Sequence, residues 1–497
     1  MATVLQRLKS PLAAWAVGLG LRWVAAVVAV GFFGRDDYFH VLDIALAWSD
    51  DPHFVWETSQ RAGAGIRSHL IPRTIQGLLL SARALGLSDP VAQLRFIYVV
   101  VGTYSSLLIP ATWFLCRRMS PRARLIATWL AATHFLLPYA GTRLLLEGVA
   151  MVPLTFGFAF LVGEPRSRDV FYAGVLIGLA CWVRYQVGVM GLAAAAVLAF
   201  RDLRAVGWLA LGAAVAVTVQ GIFDVATFGS FLGPVRGNIA ANLAPHEGLT
   251  RSGPFSYLFF WLVLTVPPLS VVLLPLLFKA ARQTPMLSIP WLAFVLFHSA
   301  VPHKEERFML PALPLFVVLL ALTPDVLTTS KGALFEWVRR YRGVFLGTFL
   351  GVNAVALAIA TTAQSQANIR DAMIDLREDG QLSGLVSMGP ELQTFFLDRG
   401  DVPRARVSRP DLVWLGRVLA DMKRSENVLP NRFLCFEPDC GAMELMLASL
   451  ALRCESPAVF PGFWADRIAF GLNAKHNRRR APVYLYRCER PALASSH

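Results

Sequence analysis

Charge is what this 497-residue chain has least of: 16% of its residues are charged, against about 25% in soluble domains. Beside 55% hydrophobic residues, 13 Trp and 33 Phe, that deficit excludes an ordinary water-soluble enzyme. Acid is scarcer than base, with 33 Asp and Glu against 47 Lys and Arg and a formal net charge of +14. The excess sits in the hydrophobic part, since residues 1–362 hold 29 basic and 17 acidic side chains and the remainder hold 18 and 16. Short basic loops between apolar runs set membrane orientation, so the imbalance implies lipid and not nucleic acid. The chain also lacks an internal repeat, a low-complexity tract and a Gly-rich phosphate loop of either GxGxxG or Walker type.

What it has is apolar runs of spanning length. A membrane helix needs about 20 mainly apolar residues, and residues 12–33 meet that after a short basic N-terminus. No small-residue cleavage site follows, so the run reads as an anchor. Ten further spans fall near residues 91–115, 125–140, 147–162, 171–183, 188–199, 206–222, 254–277, 285–300, 307–323 and 344–362. Alternate loops then carry Arg117, Arg118, Arg122 and Arg124; Arg166 and Arg168; Arg201 and Arg204; Lys279 and Arg282; and Lys331, Arg339, Arg340 and Arg342. This is the positive-inside pattern.

The expected fold is therefore mainly α, a polytopic membrane protein of about eleven transmembrane helices. Residues 1–362 form the transmembrane catalytic domain, with 34–90 as its first outer loop. An odd span number sends residues 363–497 outside as a soluble α+β domain. Four of the six cysteines, Cys435, Cys440, Cys454 and Cys488, lie there, which reads as two disulfides with the pairing open. Cys435 and Cys440 lack the CxxC spacing of a zinc site. The preference for Arg over Lys and the abundance of Ala point to a GC-rich bacterial genome, which makes the outer side periplasmic.

Two constellations can carry chemistry. Gly34-Arg35-Asp36-Asp37-Tyr38-Phe39-His40-Val41-Leu42-Asp43 follows the first span directly. If a helix starts here, Asp36, His40 and Asp43 share a face, and a carboxylate at this boundary can draw the proton from an incoming hydroxyl. Equally, Asp36 and Asp37 can serve only to cap a helix N-terminus. On spacing alone both readings stand.

The second is Pro302-His303-Lys304-Glu305-Glu306-Arg307-Phe308, wedged between apolar segments. Five successive ionisable residues at the hydrocarbon edge are costly to desolvate unless they bind something or pair with one another. His303, Lys304 and Arg307 offer donors for a phosphate, and Glu305 or Glu306 can hold the cations. A solvated turn is the plainer alternative. Arg184 falls where the chain reaches the outer side and can line the same cavity. Asp224 is a further carboxylate near that boundary, by itself more often a helix-end contact than a catalyst. Arg22, Arg143 and Glu147 interrupt other apolar runs, and Arg22 is expected to snorkel. In the first outer loop, residues 71–87 read as an amphipathic helix lying on the membrane.

His303-Lys304-Glu305-Glu306-Arg307-Phe308 resembles the His-Lys-Glu-x-Arg-Phe signature of the polyprenyl- or dolichol-phosphate-mannose-dependent mannosyltransferases, the family 22 glycosyltransferases of the GT-C fold. Asp36-Asp37 with His40 resembles the family's Asp-Glu-x-x-Gln. Trp56-Glu57, then Ile66-Arg67-Ser68 and Pro72, resemble its Trp-Glu and Arg-Ser elements. Asp224, Gly229, Asn242, Gly253-Pro254 and Tyr257 resemble later ones. The resemblance covers roughly residues 30–325 and departs from the pattern at Asp37, His40, Phe228 and Phe255, which stand for Glu, Gln, Tyr and Trp.

The resemblance implies an inverting glycosyltransferase that moves mannose or a similar hexose from a polyprenyl-phosphate donor to a lipid-linked or surface glycan. It implies no metal and no cofactor. Asp36, with Asp37 competing, would be the base. His303, Lys304, Arg307 and Arg184 would bind the donor phosphate, and His40, Trp56, Glu57, Arg67 and Asp224 would shape the acceptor cavity. The reading from another class is a lipid or polysaccharide transporter. Transporters place polar residues near the midplane on broken helices, whereas here they gather at one face.

Overall fold

The computed structural model describes residues 10–34, 37–49, 66–243, 253, 255–257, 260–261, 269–301, 304–390, 392–398, 402–407, 430–450, 452–475 and 477–489. The chain divides into two compact units. One comprises residues 1–27, 62–74 and 97–362, the other residues 28–61, 75–96 and 363–497.

The first unit is helical. Among the described residues, five helical segments are long and apolar enough to cross a membrane: Pro11–Val28, Pro90–Leu115, Leu203–Phe228, Glu306–Thr329 and the one beginning at Arg342. Shorter apolar helices include Leu146–Leu161, Tyr185–Ala199 and Pro285–Ala300. With no water in the hydrocarbon to satisfy backbone groups, apolar runs of this length settle as helices. The expected segment at 125–140 is broken: a helix over Pro121–Thr133 stops, His134 is extended, and a short helix resumes at Leu136. Asn353 repairs the gap, its amide donating to the Thr133 carbonyl at 2.8 Å while its oxygen accepts from the Phe135 N–H at 2.9 Å. The expected span at 254–277 falls mostly outside the described residues.

Small residues bring two of these helices into close contact. A Cβ on Gly174 would meet the Leu209 carbonyl at 2.2 Å, and one on Gly212 would meet the Phe171 carbonyl at 2.1 Å. Helices Ser167–Val183 and Leu203–Phe228 thus pack backbone to backbone, as small-residue interfaces allow in membranes. Arg22 does not snorkel. It is fully buried, donating to Ser105 Oγ at 3.0 Å, the Gly18 carbonyl at 2.9 Å and the Ala131 carbonyl at 3.3 Å. Snorkelling fails because one acceptor lies a turn back on its own helix and the other two on neighbouring helices.

The second unit carries the sheet. Strands β1 (Leu385–Met388) and β3 (Arg432–Phe436) are buried along their whole length, as strands covered on both faces must be. β1 pairs in parallel with β2 (Arg404–Val407) on one side and β3 on the other. β3 then pairs antiparallel with β6 (Val483–Glu489), which also pairs with β4 (Arg453–Cys454) and β5 (Ala458–Phe460). Met443, Met446 and Leu447 of the helix Cys440–Ser449 pack with Val386, Phe433 and Tyr486. Cys435 is disulfide-bonded to Cys440 and Cys454 to Cys488, while Cys116 and Cys181 are free. Asp379 receives Arg432 at 2.6 Å; burial works to raise its carboxyl, but this guanidinium and the neighbouring Arg487 hold it below its ordinary value.

The first-loop helix is present as Leu70–Ala84, with Ile75, Leu79 and Ala82 buried at the spacing of one helical face.

Candidate functional site

The helix Ser167–Val183 ends at Arg184, whose extended backbone (φ −142°, ψ 98°) turns the chain into a short 3₁₀ turn. Two groups of polar side chains of the first unit meet at this helix end.

The first surrounds the turn at 304–308. Arg184 lies 3.0 Å from the Glu147 carboxylate, and both side chains are more than nine-tenths buried. Glu147 opens the otherwise apolar helix Leu146–Leu161, so its charge has one evident purpose, to hold a cation. Arg307 pairs with Glu305 at 2.7 Å. Phe308 lies between the two guanidiniums, with Arg184 4.9 Å and Arg307 5.2 Å from its ring centre. Tyr257 clamps the turn, donating its hydroxyl to the Glu305 carbonyl at 3.1 Å and accepting the Glu305 N–H at 3.2 Å. Beyond the turn, a 3₁₀ stretch over Glu306–Ala312 leads into the buried helix Leu313–Thr329. Lys304 is half-buried, and loss of hydration holds its ammonium below the ordinary value.

The second group is built from the Arg67-Ser68-His69 segment. Trp182 donates to Ser68 Oγ at 2.7 Å and stands edge-on to Phe223 at 5.5 Å. His69 lies tilted against Phe228 with ring centres 4.1 Å apart, one residue before Gly229 ends the helix in the left-handed conformation (φ +69°) that glycine adopts freely. Burial, with Arg73 nearby, pushes the His69 imidazole down to about 4. Asp224 is fully buried and receives Gln220 at 3.4 Å. It lies close enough to Tyr185 to act on its hydroxyl, as does Arg67. The structure thus brings Arg184, Lys304, Arg307 and Glu147 to one side of this helix end, and Arg67, Asp224, Ser68 and His69 to another.

In the second unit, Asp37 is buried and its carboxylate accepts the Phe33 N–H at 2.7 Å and the Gly34 N–H at 3.1 Å. Its oxygens close the turn that follows the first helix. Of the face expected for Asp36, His40 and Asp43, Asp36 lies outside the described residues, and Tyr38–Leu42 is a π turn in which the Asp43 N–H reaches the Tyr38 carbonyl, five residues back. The wider turn replaces the 100° step on which that face depended. Asp43 is fully buried and His40 half-buried. Asp36, Trp56, Glu57 and His303 lie outside the described residues.

Sequence reasoning assigned no role to Glu147, His69, Trp182 or Tyr257. Two carried a signal, Glu147 as a lone acid in an apolar run and Tyr257 as part of the family resemblance. The others are aromatic or amphipathic residues of a kind that apolar helices hold in quantity.

Solved structures with the same architecture include ArnT from Cupriavidus metallidurans bound to undecaprenyl phosphate, with 14% identity, a TM-score of 0.60, and 95% of this chain and 97% of that one covered. The apo form of the Archaeoglobus fulgidus oligosaccharyltransferase aligns with 11% identity and a TM-score of 0.53 over 90% of this chain and 73% of that one. At such identities the likeness establishes the fold alone, that of the GT-C glycosyltransferases. No curated protein sequence matches the chain. The family model of the Alg9-like mannosyltransferases matches residues 14–383, three quarters of the chain, and the protein belongs to that family of membrane glycosyltransferases.

Proposed function

We propose that this protein transfers mannose, or a similar hexose, from a polyprenyl-phosphate donor to a lipid-linked or surface glycan, with inversion, at the outer face of a bacterial inner membrane. The observation that carries the reading is the pair of buried guanidiniums, Arg184 and Arg307, flanking Phe308 in the turn that resembles the donor signature. Two buried cations, with Lys304 beside them, form a set suited to a phosphate that gains charge as it leaves. The undecaprenyl phosphate bound to ArnT supports a polyprenyl phosphate as the leaving group.

In this mechanism the acceptor hydroxyl attacks the anomeric carbon and its proton passes to a carboxylate. The bond from that carbon to the phosphate oxygen breaks, and polyprenyl phosphate departs with the electron pair. Asp36 is assigned as the base. Asp37, whose carboxylate is engaged by two backbone amides, suits a structural role better. Glu147 and Glu305 hold the arginines against each other's repulsion until the donor arrives, and His303 joins the phosphate group. Arg67, Asp224, His40, Trp56 and Glu57 belong to acceptor recognition. Residues 1–362 are the catalytic membrane domain and residues 363–497 the outer-face domain.

The test is incubation of the purified protein with polyprenyl-phosphate-mannose and a panel of bacterial lipid extracts, followed by mass spectrometry. A mannosylated lipid formed in step with released polyprenyl phosphate is expected. Movement of the intact donor across liposomes, with no polyprenyl phosphate released, would establish transport instead.

A further inference from the structure

The second unit presents a short helix, Trp464–Leu472, with an unusual outer side. Trp464, Ile468 and Leu472, at i, i+4 and i+8, are 51%, 55% and 83% exposed. Three large apolar side chains on one face of a nine-residue helix are a cost in water unless something covers them. Basic residues surround them: Arg467 on the same helix, then Lys475, Arg478 and Arg479, all exposed, with Arg480 half-buried. The acids in this region are engaged, Asp466 with Arg480 at 3.4 Å and Asp439 with Arg478. An apolar stripe carrying Trp and ringed by Lys and Arg is the composition of a helix lying in a lipid headgroup layer.

Chain continuity says where this helix is held. The apolar helix starting at Arg342 ends at Thr362. Four residues on, the Gln366 N–H donates to the Asp466 carboxylate at 3.2 Å. Two residues later, Asn368 donates to the Arg479 carbonyl at 3.0 Å and the Ala481 carbonyl at 2.6 Å. Four residues of extended chain span about 14 Å at most, so the helix and the Arg478–Arg480 turn are pinned close to where the chain leaves its last apolar segment. The residues that follow the first apolar helix in the chain meet the same segment: Arg370 donates to the Val30 carbonyl at 2.6 Å, and a Cβ on Gly31 would meet the Ser365 carbonyl at 2.1 Å. Two stretches of chain that each follow an apolar helix therefore pack with the segment that anchors this helix.

We propose that Trp464–Leu472 is an interfacial helix that lies in the membrane surface, its apolar face among acyl chains near the headgroups and its basic rim on anionic phospholipid. The inference is independent of the transfer reaction, and its chemistry is that of lipid recognition. Basic residues near an anionic surface are drawn to it electrostatically. Residues 475–480 thus make the contact sensitive to lipid charge, while Trp464, Ile468 and Leu472 supply the charge-independent part.

The experiment uses the full chain in nanodiscs with a photo-crosslinking benzoylphenylalanine at Leu472, at Ile468, or at Leu445, which is 74% exposed on the separate helix Cys440–Ser449 and serves as the apolar control. Lipid adducts at 468 and 472 well above those at 445, in both phosphatidylglycerol and phosphatidylcholine discs and higher in the former, are expected. The double substitution Lys475→Glu and Arg479→Glu should lower the yield at 472 about fivefold or more in phosphatidylglycerol discs and little in phosphatidylcholine discs. Yields at 468 and 472 no greater than at 445 would overturn the proposal. So would crosslinks to protein, whether a partner or a second copy, in place of lipid. Unchanged size-exclusion profiles and thermal transitions in the variants confirm that each result is read on folded protein.

Discussion

Arg22 and Arg184 are both arginines in apolar sequence, and both are almost wholly buried, yet their surroundings differ in kind. Arg22 is held by a serine hydroxyl and two backbone carbonyls, neutral acceptors that its own fold supplies. Arg184 is held by a carboxylate and shares an aromatic ring with a second cation. A charge satisfied by neutral dipoles is a packing device, because nothing it touches gains by exchanging it for a ligand. A charge balanced by an acid, at a helix end and beside another cation, is the arrangement that the proposed donor site would use. The partner, more than burial, separates a structural from a functional ion in a membrane protein.

The largest effect expected concerns the same contrast between neighbouring acids. Asp36→Asn should reduce transfer by about a hundredfold or more, the range of general-base catalysis, with donor binding retained. Asp37→Asn should instead weaken the turn at Phe33 and Gly34, lowering the thermal transition more than the turnover of the folded protein. Single-turnover transfer at saturating donor, with a thermal melt of each variant, decides this. Transfer retained in Asp36→Asn and lost in Asp37→Asn would reverse the roles.

Next, Arg184→Gln or Arg307→Gln should lower kcat/KM for the donor by about tenfold to a hundredfold, the 1.5–3 kcal/mol of a charge-assisted bond, read on the folded fraction because Arg184→Gln also leaves the buried Glu147 carboxylate without its cation. Arg22→Ala should do the opposite, destabilising by roughly 3 kcal/mol through a cavity and stranded acceptors, with donor kinetics intact in the folded fraction. Equal kinetic losses in Arg22→Ala and Arg184→Gln would dissolve the distinction drawn between them.

Glu147→Gln sharpens it further. Loss of the carboxylate should raise KM for the donor several-fold more than it lowers kcat, and Glu147→Asp should restore most of the affinity. Removing the acid from a merely structural pair would instead lower stability and leave the ratio of the two constants unmoved.

Two smaller effects concern the periphery. Alkylation of the unreduced protein followed by peptide mapping should find Cys435, Cys440, Cys454 and Cys488 blocked and only Cys116 and Cys181 reactive after unfolding. Reduction should cost the Cys454–Cys488 region about 3–4 kcal/mol by the loop-entropy relation. The last is a pH effect. His69 is neutral in the folded protein down to about 4, whereas an unfolded histidine takes a proton near 6.5. Its contribution is complete above pH 6.5 and is lost as the pH falls from there toward 4. Thermal melts from pH 7.5 to 5 should show a steeper fall in the native protein than in His69→Phe.

Much of this was legible because the signals were local. Apolar runs marked helices, and the ionisable run 303–307 stood out as a candidate site, since charges at the hydrocarbon edge are costly unless they pair, bind or reach water. Four cysteines after the last apolar run marked an oxidised domain. What the residues could not show was closure in space. The break at His134 depends on Asn353, more than two hundred residues away, and without that amide the sequence there reads as one unbroken span. The π turn at Tyr38–Leu42 was not legible either, because its extra residue per turn has no sequence signature at this length.

By itself the sequence determined the class of solvent, the helical character of the described apolar segments and which ionisable residues stand out against them, because hydrophobicity and charge are properties of residues in series. Tertiary structure alone decided that Arg22 meets Ser105 and Ala131, that Arg184 meets Glu147, that Cys454 meets Cys488, and that β3 stands between β1 and β6. Each of these depends on which partner lies within about 3 Å of a given atom. Partners that far apart in the chain are chosen by the packing of helices and strands, which no single segment contains.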